Sequence, residues 1–94
     1  MLNVLSSPER YKRRTIEPLL QQLPRRTFVL VGDSGQHDPE VFGELARRYP
    51  RQVRRVFIRD VGRSTTARYR EAFNGIDRNA WQVFSDPATL PKIL

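Results

Sequence analysis

Two carboxylates, a serine and a histidine are gathered in Asp33-Ser34-Gly35-Gln36-His37-Asp38, directly after the apolar run FVLVG. A carboxylate at the tip of a buried strand, next to a helix N-terminus, suits a hard cation such as Mg²⁺. Gly32 lets the backbone turn sharply before Asp33. Asp38, five residues further on, could orient a metal-bound water or the loop itself. It could equally cap the helix that follows, and the two roles do not exclude each other. Ser34 invites comparison with serine hydrolases, but these need a histidine base held by a carboxylate, usually from a distant segment. No histidine follows His37, the only one in the chain, which is expected to face solvent from the loop. A multi-histidine metal cluster is excluded on the same ground, and the absence of cysteine excludes thiolate sites and disulfides. The block G-D-S-G-Q-H is not a dinucleotide-binding fingerprint. Lys12, one of two lysines in an arginine-rich chain, is either a point-charge contact to a phosphate or a solvated helix residue.

The elements that must position these groups alternate. Ser7-Pro8-Glu9, Asp38-Pro39-Glu40 and Asp86-Pro87-Ala88 share the chemistry of a helix start, a side-chain oxygen followed by proline in the first turn. Ser6 with Glu9 also fits a capping box. The periodicity predicts a first helix over 8–22 with Ile16, Leu19, Leu20 and Leu23 on one face, kinked or restarted at Pro18. A second, over 39–49, buries Val41, Phe42, Leu45 and Tyr49. A third, opened by Ser64 or Thr65, presents Tyr69, Ala72, Phe73 and Ile76 and stops at Asn74-Gly75. Short apolar runs at 27–31, 53–58 and 80–84 read as buried strands, and a short final helix follows Asp86-Pro87. The fold class is therefore α/β, a three-stranded, mostly parallel sheet with flanking helices. Asp33, Asp60 and Asp86 then lie beyond strand carboxyl ends, where open α/β sheets place their sites. So thin a sheet, with an edge expected on its first strand, reads as one piece of a larger doubly wound domain.

Ninety-four residues with 38% hydrophobic content make one small domain, 1–94, and argue against disorder. No apolar run approaches the ~20 residues that span a membrane. The opening MLNVLSS lacks the flank and length of a signal peptide, so a cytoplasmic location is the default. The net charge of +7, almost all of it carried by arginine, points to an anionic partner. The arginines come as scattered pairs rather than one aromatic-interleaved stripe, which makes nucleic acid the weaker choice.

Gly32-Asp33-x-x-x-x-Asp38 resembles the fourth motif of the haloacid-dehalogenase (HAD) superfamily of phosphotransferases. The longer text FVLVGDSGQHDPEVF, followed by ARRYP and VRRVFIRDV, resembles the C-terminal half of a lipin-related phosphatidate phosphatase catalytic domain of bacteria and fungi. The similarity runs from about Tyr11 to Pro91. It implies half of a HAD-like Rossmannoid domain and Mg²⁺-dependent hydrolysis of a phosphate ester through an aspartyl-phosphate. It also implies Asp33 as a metal ligand, Asp38 as the second acidic residue of the motif, and Lys12 as the lysine that stabilises charge on the transferred phosphoryl group. The sequence departs from that family in lacking the D-x-D-x-[T/V] motif, with its nucleophilic and acid/base aspartates, and a recognisable Ser/Thr motif. The resemblance places both ahead of Met1.

The chain alone is accordingly expected to be inactive, contributing Lys12, Asp33 and Asp38 to an intact enzyme acting on a phosphorylated lipid or other phosphate ester. The alternatives are a non-catalytic half-domain that binds anionic lipid or phosphorylated ligands and, less favoured, a nucleic-acid-binding module. Contact with an anionic membrane surface and self-association through an exposed sheet edge are further expectations.

Overall fold

The computed structural model describes residues 2–5, 9–35, 37–62, 64–86 and 88, with side chains from Thr15 onward. The chain runs β1 (Leu2–Leu5), α1 (Glu9–Gln22), β2 (Thr27–Asp33), α2 (Asp38–Arg48), β3 (Val53–Arg59), α3 (Thr66–Ala72), a 3-10 turn (Arg78–Ala80) and β4 (Trp81–Phe84). All strand pairs are parallel and their spatial order is β1-β2-β3-β4. Right-handed crossovers in a sheet that grows in one direction put every connecting helix on the same face. Ile16 and Leu20 of α1, Val41, Phe42, Leu45 and Ala46 of α2, and Tyr69 and Ala72 of α3 accordingly share one core with Phe28, Leu30, Val53, Val56 and Ile58. Alternation along the strands turns Val29, Val31, Phe57 and Phe84 to the opposite face, where they form a second, smaller cluster.

The predicted strands are present and parallel, and β1 is an addition to them. It pairs with β2 from Leu2↔Thr27 to Leu5↔Leu30, so the edge expected on β2 is covered. The predicted helices also form, with Thr65 capping α3 by accepting from the Arg68 N–H at 3.2 Å and Gly75 turning at φ 81° beyond its end. Of the kink or restart expected at Pro18, the restart does not occur: α1 runs unbroken through it. Proline there forfeits a single ladder bond, while Ile16 and Leu20 on either side are 1% and 0% exposed and anchor both turns to the sheet. Leu23, expected on that apolar face, is instead 40% exposed. The capping groups at Ser6, Ser7 and Pro8, and the helix after Pro87, lie outside the described residues.

Side chains from the middle of the sequence close the ends of the helices. Gln52, buried, donates from its amide to the carbonyls of Leu20 at 2.7 Å and Leu23 at 2.9 Å, satisfying orphan acceptors at the end of α1. Arg47 does the same for α3, donating to Ala72 O at 2.8 Å and Asn74 O at 3.2 Å. That contact brings α2 and α3 close together at Gly43, where a Cβ would sit 1.9 Å from the Ala72 carbonyl oxygen. In an open helix, Gly→Ala gains up to about 1 kcal/mol of propensity. At Gly43 overpacking, worth about 1–3 kcal/mol, outweighs that gain. Gly43→Ala should therefore lower the midpoint of urea unfolding, and a rise in the midpoint would show that α2 and α3 do not meet this closely.

Candidate functional site

β2 and β3 end side by side, with Asp33 in register with Arg59, and the loops beyond them carry the candidate residues. Asp33 is the last residue of β2. Its Oδ1 accepts the Gly35 N–H at 2.9 Å, which folds the loop into a tight turn around the carboxylate. Asp38, 1% exposed, sends Oδ2 back to accept the Asp33 N–H at 2.9 Å. The five-residue spacing thus closes the loop on itself, joining the end of β2 to the start of α2. Gly32 makes this closure sterically feasible: a Cβ on it would lie 2.4 Å from Asp38 Oδ2. The N-cap position of α2 belongs to His37, which makes no side-chain cap, and Asp38 is already helical. The cap reading of Asp38 is therefore corrected, because its carboxylate serves the preceding strand rather than its own helix.

Ser34 is buried, and its hydroxyl is fully engaged. Oγ donates to Asp60 Oδ1 at 3.2 Å and accepts the Val61 N–H at 2.9 Å. The same Asp60 oxygen accepts from the Tyr69 hydroxyl at 3.1 Å and the Gly62 N–H at 3.2 Å. This hydroxyl braces the β2 loop against the β3 loop. His37, 70% exposed in its side chain, lies 3.8 Å from Glu40 and faces solvent as expected.

Arg68 completes the assembly, and sequence reasoning missed it. It donates to the Ser34 carbonyl at 2.7 Å and the Ser64 hydroxyl at 2.9 Å, and to both carboxylate oxygens of Glu40 at 2.9 and 3.2 Å. The hydrogen bond to Glu40 raises the guanidinium pKa above its ordinary value, against a smaller opposing effect of burial. No local signal announces this residue, since Glu40 and Ser34 lie 28 and 34 positions away in the chain.

Asp33 offers a hard oxygen donor of the kind Mg²⁺ takes, which fits it as one ligand. Among the described residues no group of three or more His, Cys, Asp or Glu side chains gathers to complete a metal site. Lys12 lies on α1, but its side chain is outside the described residues. Asp86 lies two residues beyond β4, apart from the other carboxylates, and accepts the Ala88 N–H at 3.0 Å. A cleft of about 680 Å³ lined by Arg55, Arg78, Trp81 and Gln82 opens beside the start of β4 and includes none of the acidic residues of the loops.

Removing the Asp38 carboxylate would leave the Asp33 amide unpaired. Asp38→Ala should cost about 1–3 kcal/mol of stability and release the Asp33 amide to faster hydrogen exchange. Unchanged protection at Asp33 would show that the contact does not hold the loop.

Comparison with known proteins places this loop in context. The family described as phosphatidate phosphatase APP1, catalytic domain, matches residues 1–60, which include the whole closed loop and the ends of both strands. Phosphatidate phosphatase APP1 of Saccharomyces cerevisiae is 36% identical over 56 residues, covering 60% of this chain and 10% of its own length. An uncharacterized protein of Schizosaccharomyces pombe is 32% identical over 59 residues, covering 63% of this chain and 10% of its own length. The chain thus aligns with about a tenth of each of these curated relatives. No solved structure gives a significant match. By the match to residues 1–60, the chain belongs to the phosphatidate phosphatase APP1 catalytic-domain family.

Proposed function

We propose that this chain is the C-terminal part of a Mg²⁺-dependent, HAD-type phosphatase acting on phosphatidate or a related phosphorylated lipid. The observation that carries the reading is the Asp33–Asp38 closure, which fixes one carboxylate at the strand tip and buries the other behind it. In this reading Asp33 is the metal ligand, Asp38 a positioning group for it, and Lys12 the fixed cation that faces the phosphoryl group. A magnesium ion bound there would supply positive charge to the phosphate oxygens. The chain's own part is to hold Asp33 rigid, since charge stabilisation works only when the groups need not reorganise.

The sequence holds no D-x-D-x-[T/V] nucleophile motif, so the chain is proposed to be inactive alone. That absence also favours, as a second reading, a half-domain that binds phosphorylated lipid without chemistry. Magnesium titration followed by amide chemical shifts tests the shared core of both. Saturable shifts at Asp33 and Gly35, lost in Asp33→Asn, are expected. Identical titrations of the two proteins would remove the metal role. Release of phosphate from dioctanoyl phosphatidate by the purified chain, abolished by Asp33→Ala, would overturn the proposed inactivity.

A further inference from the structure

We propose that Arg59 is the residue that grips the phosphate monoester, one strand over from Asp33. This rests on the phosphatase reading and extends it to a residue that neither the sequence motifs nor the family match assigns.

Three observations converge on Arg59. The first is register: Asp33 and Arg59 are paired neighbours at the carboxyl ends of adjacent parallel strands, whose backbones run about 4.8 Å apart. The second is face. Val29, Val31 and Phe57 form the cluster on the side of the sheet away from the helices, and alternation brings Asp33 and Arg59 onto that same side. Ile58 belongs to the helix-side core, and Gly32 faces Asp38. The carboxylate and the guanidinium therefore leave the sheet in one direction at one rim.

The third observation is occupancy. Arg68, the other described arginine near this loop, is committed to Glu40, Ser34 and Ser64. Arg59 is exposed and forms neither an ion pair nor a side-chain hydrogen bond among the described residues, even with Asp33 beside it. An Arg59–Asp33 pair would take up the oxygens a metal ion needs. Left apart, the two present opposite charges to one ligand. A phosphate monoester matches that pair, because its non-bridging oxygens can accept a bidentate guanidinium while also facing a cation held by Asp33.

The backbone around Arg59 is fixed more firmly than a strand end usually is. Its carbonyl accepts the Ser34 N–H at 2.9 Å, and the Ser34–Asp60 contact ties the next residue to the same loop. The long side chain is thus free to move on a fixed base.

The test is calorimetric titration of the 94-residue chain, in magnesium buffer, with inorganic phosphate and with monomeric dioctanoyl phosphatidate. Arg59→Gln should weaken both about tenfold or more, and Arg59→Lys, which keeps the charge but loses the fork, should fall between. Arg54→Gln removes the same charge from an exposed position on the same strand and should bind like wild type. Urea midpoints should match throughout, since Arg59 is exposed and makes no side-chain hydrogen bond or ion pair among the described residues. A loss confined to the lipid would assign Arg59 to the diacylglycerol end and overturn the phosphate role. Wild-type affinity in Arg59→Gln, or an equal loss in Arg54→Gln, would overturn the assignment and leave the phosphatase reading standing. Failure of the wild-type chain to bind either probe would overturn both.

Discussion

The hydrogen bond from the Asp33 amide to the Asp38 carboxylate is the constraint on which the rest of the site depends. A loop between a strand and a helix has little to fix its height unless its own backbone is paired. Here the strand's last N–H, three residues beyond the final β1–β2 pair at Leu30, is met by a carboxylate from the first residue of the next helix. Charge-assisted bonds of this kind are roughly twice as strong as neutral ones. Burial at 1% exposure shields this one from competing water. The cost is a carboxylate taken out of solvent, and only glycine at position 32 leaves room for it.

Around that bond, contacts spread outward and each joins a different pair of elements. Ser34 and Asp60 tie the β2 loop to the β3 loop, and Tyr69 brings in α3. Arg68 then bridges α3 to α2 through Glu40 and to the β2 loop through the Ser34 carbonyl. Both loops are thus held to elements whose inner faces are packed in the main core. A rigid scaffold beneath a loop is what allows a loop residue to hold one geometry.

Most of this fold was legible because period and punctuation agree: apolar runs of strand length, helices with a clear apolar face, and turns marked by Asn74-Gly75. β1 was not legible because four residues around Asn3 carry too little pattern, and its strand character comes from pairing with β2. Of the two roles read for Asp38, holding the loop and capping its helix, the structure shows the first. An aspartate before Pro-Glu looks the same whether it caps its own helix or reaches back to the previous strand. Gly32 was the distinguishing sign, since the glycine needed for clearance stands just before the amide that is bound. Arg68 was beyond local reading altogether, because its role exists only once the chain has folded.

The arginine-rich composition acquires a second meaning in this light. Read as bulk charge, +7 points outward to an anionic partner. In the folded chain several guanidiniums point inward to the architecture. Arg47 closes the end of α3, Arg48 joins α2 to Glu17 of α1 at 2.8 Å, and Arg78 lies 4.0 Å from the Trp81 ring centroid while donating to the Trp81 carbonyl. Of these tasks, the stacking of Arg78 on Trp81 uses what lysine lacks, a planar cation that lies flat on a ring. These cations fasten helices before any ligand is considered, so the excess charge is partly a by-product of how a small domain holds its elements together. Only an arginine free of such duties carries information about a ligand, which is why position along the strands says more about function than the net charge does.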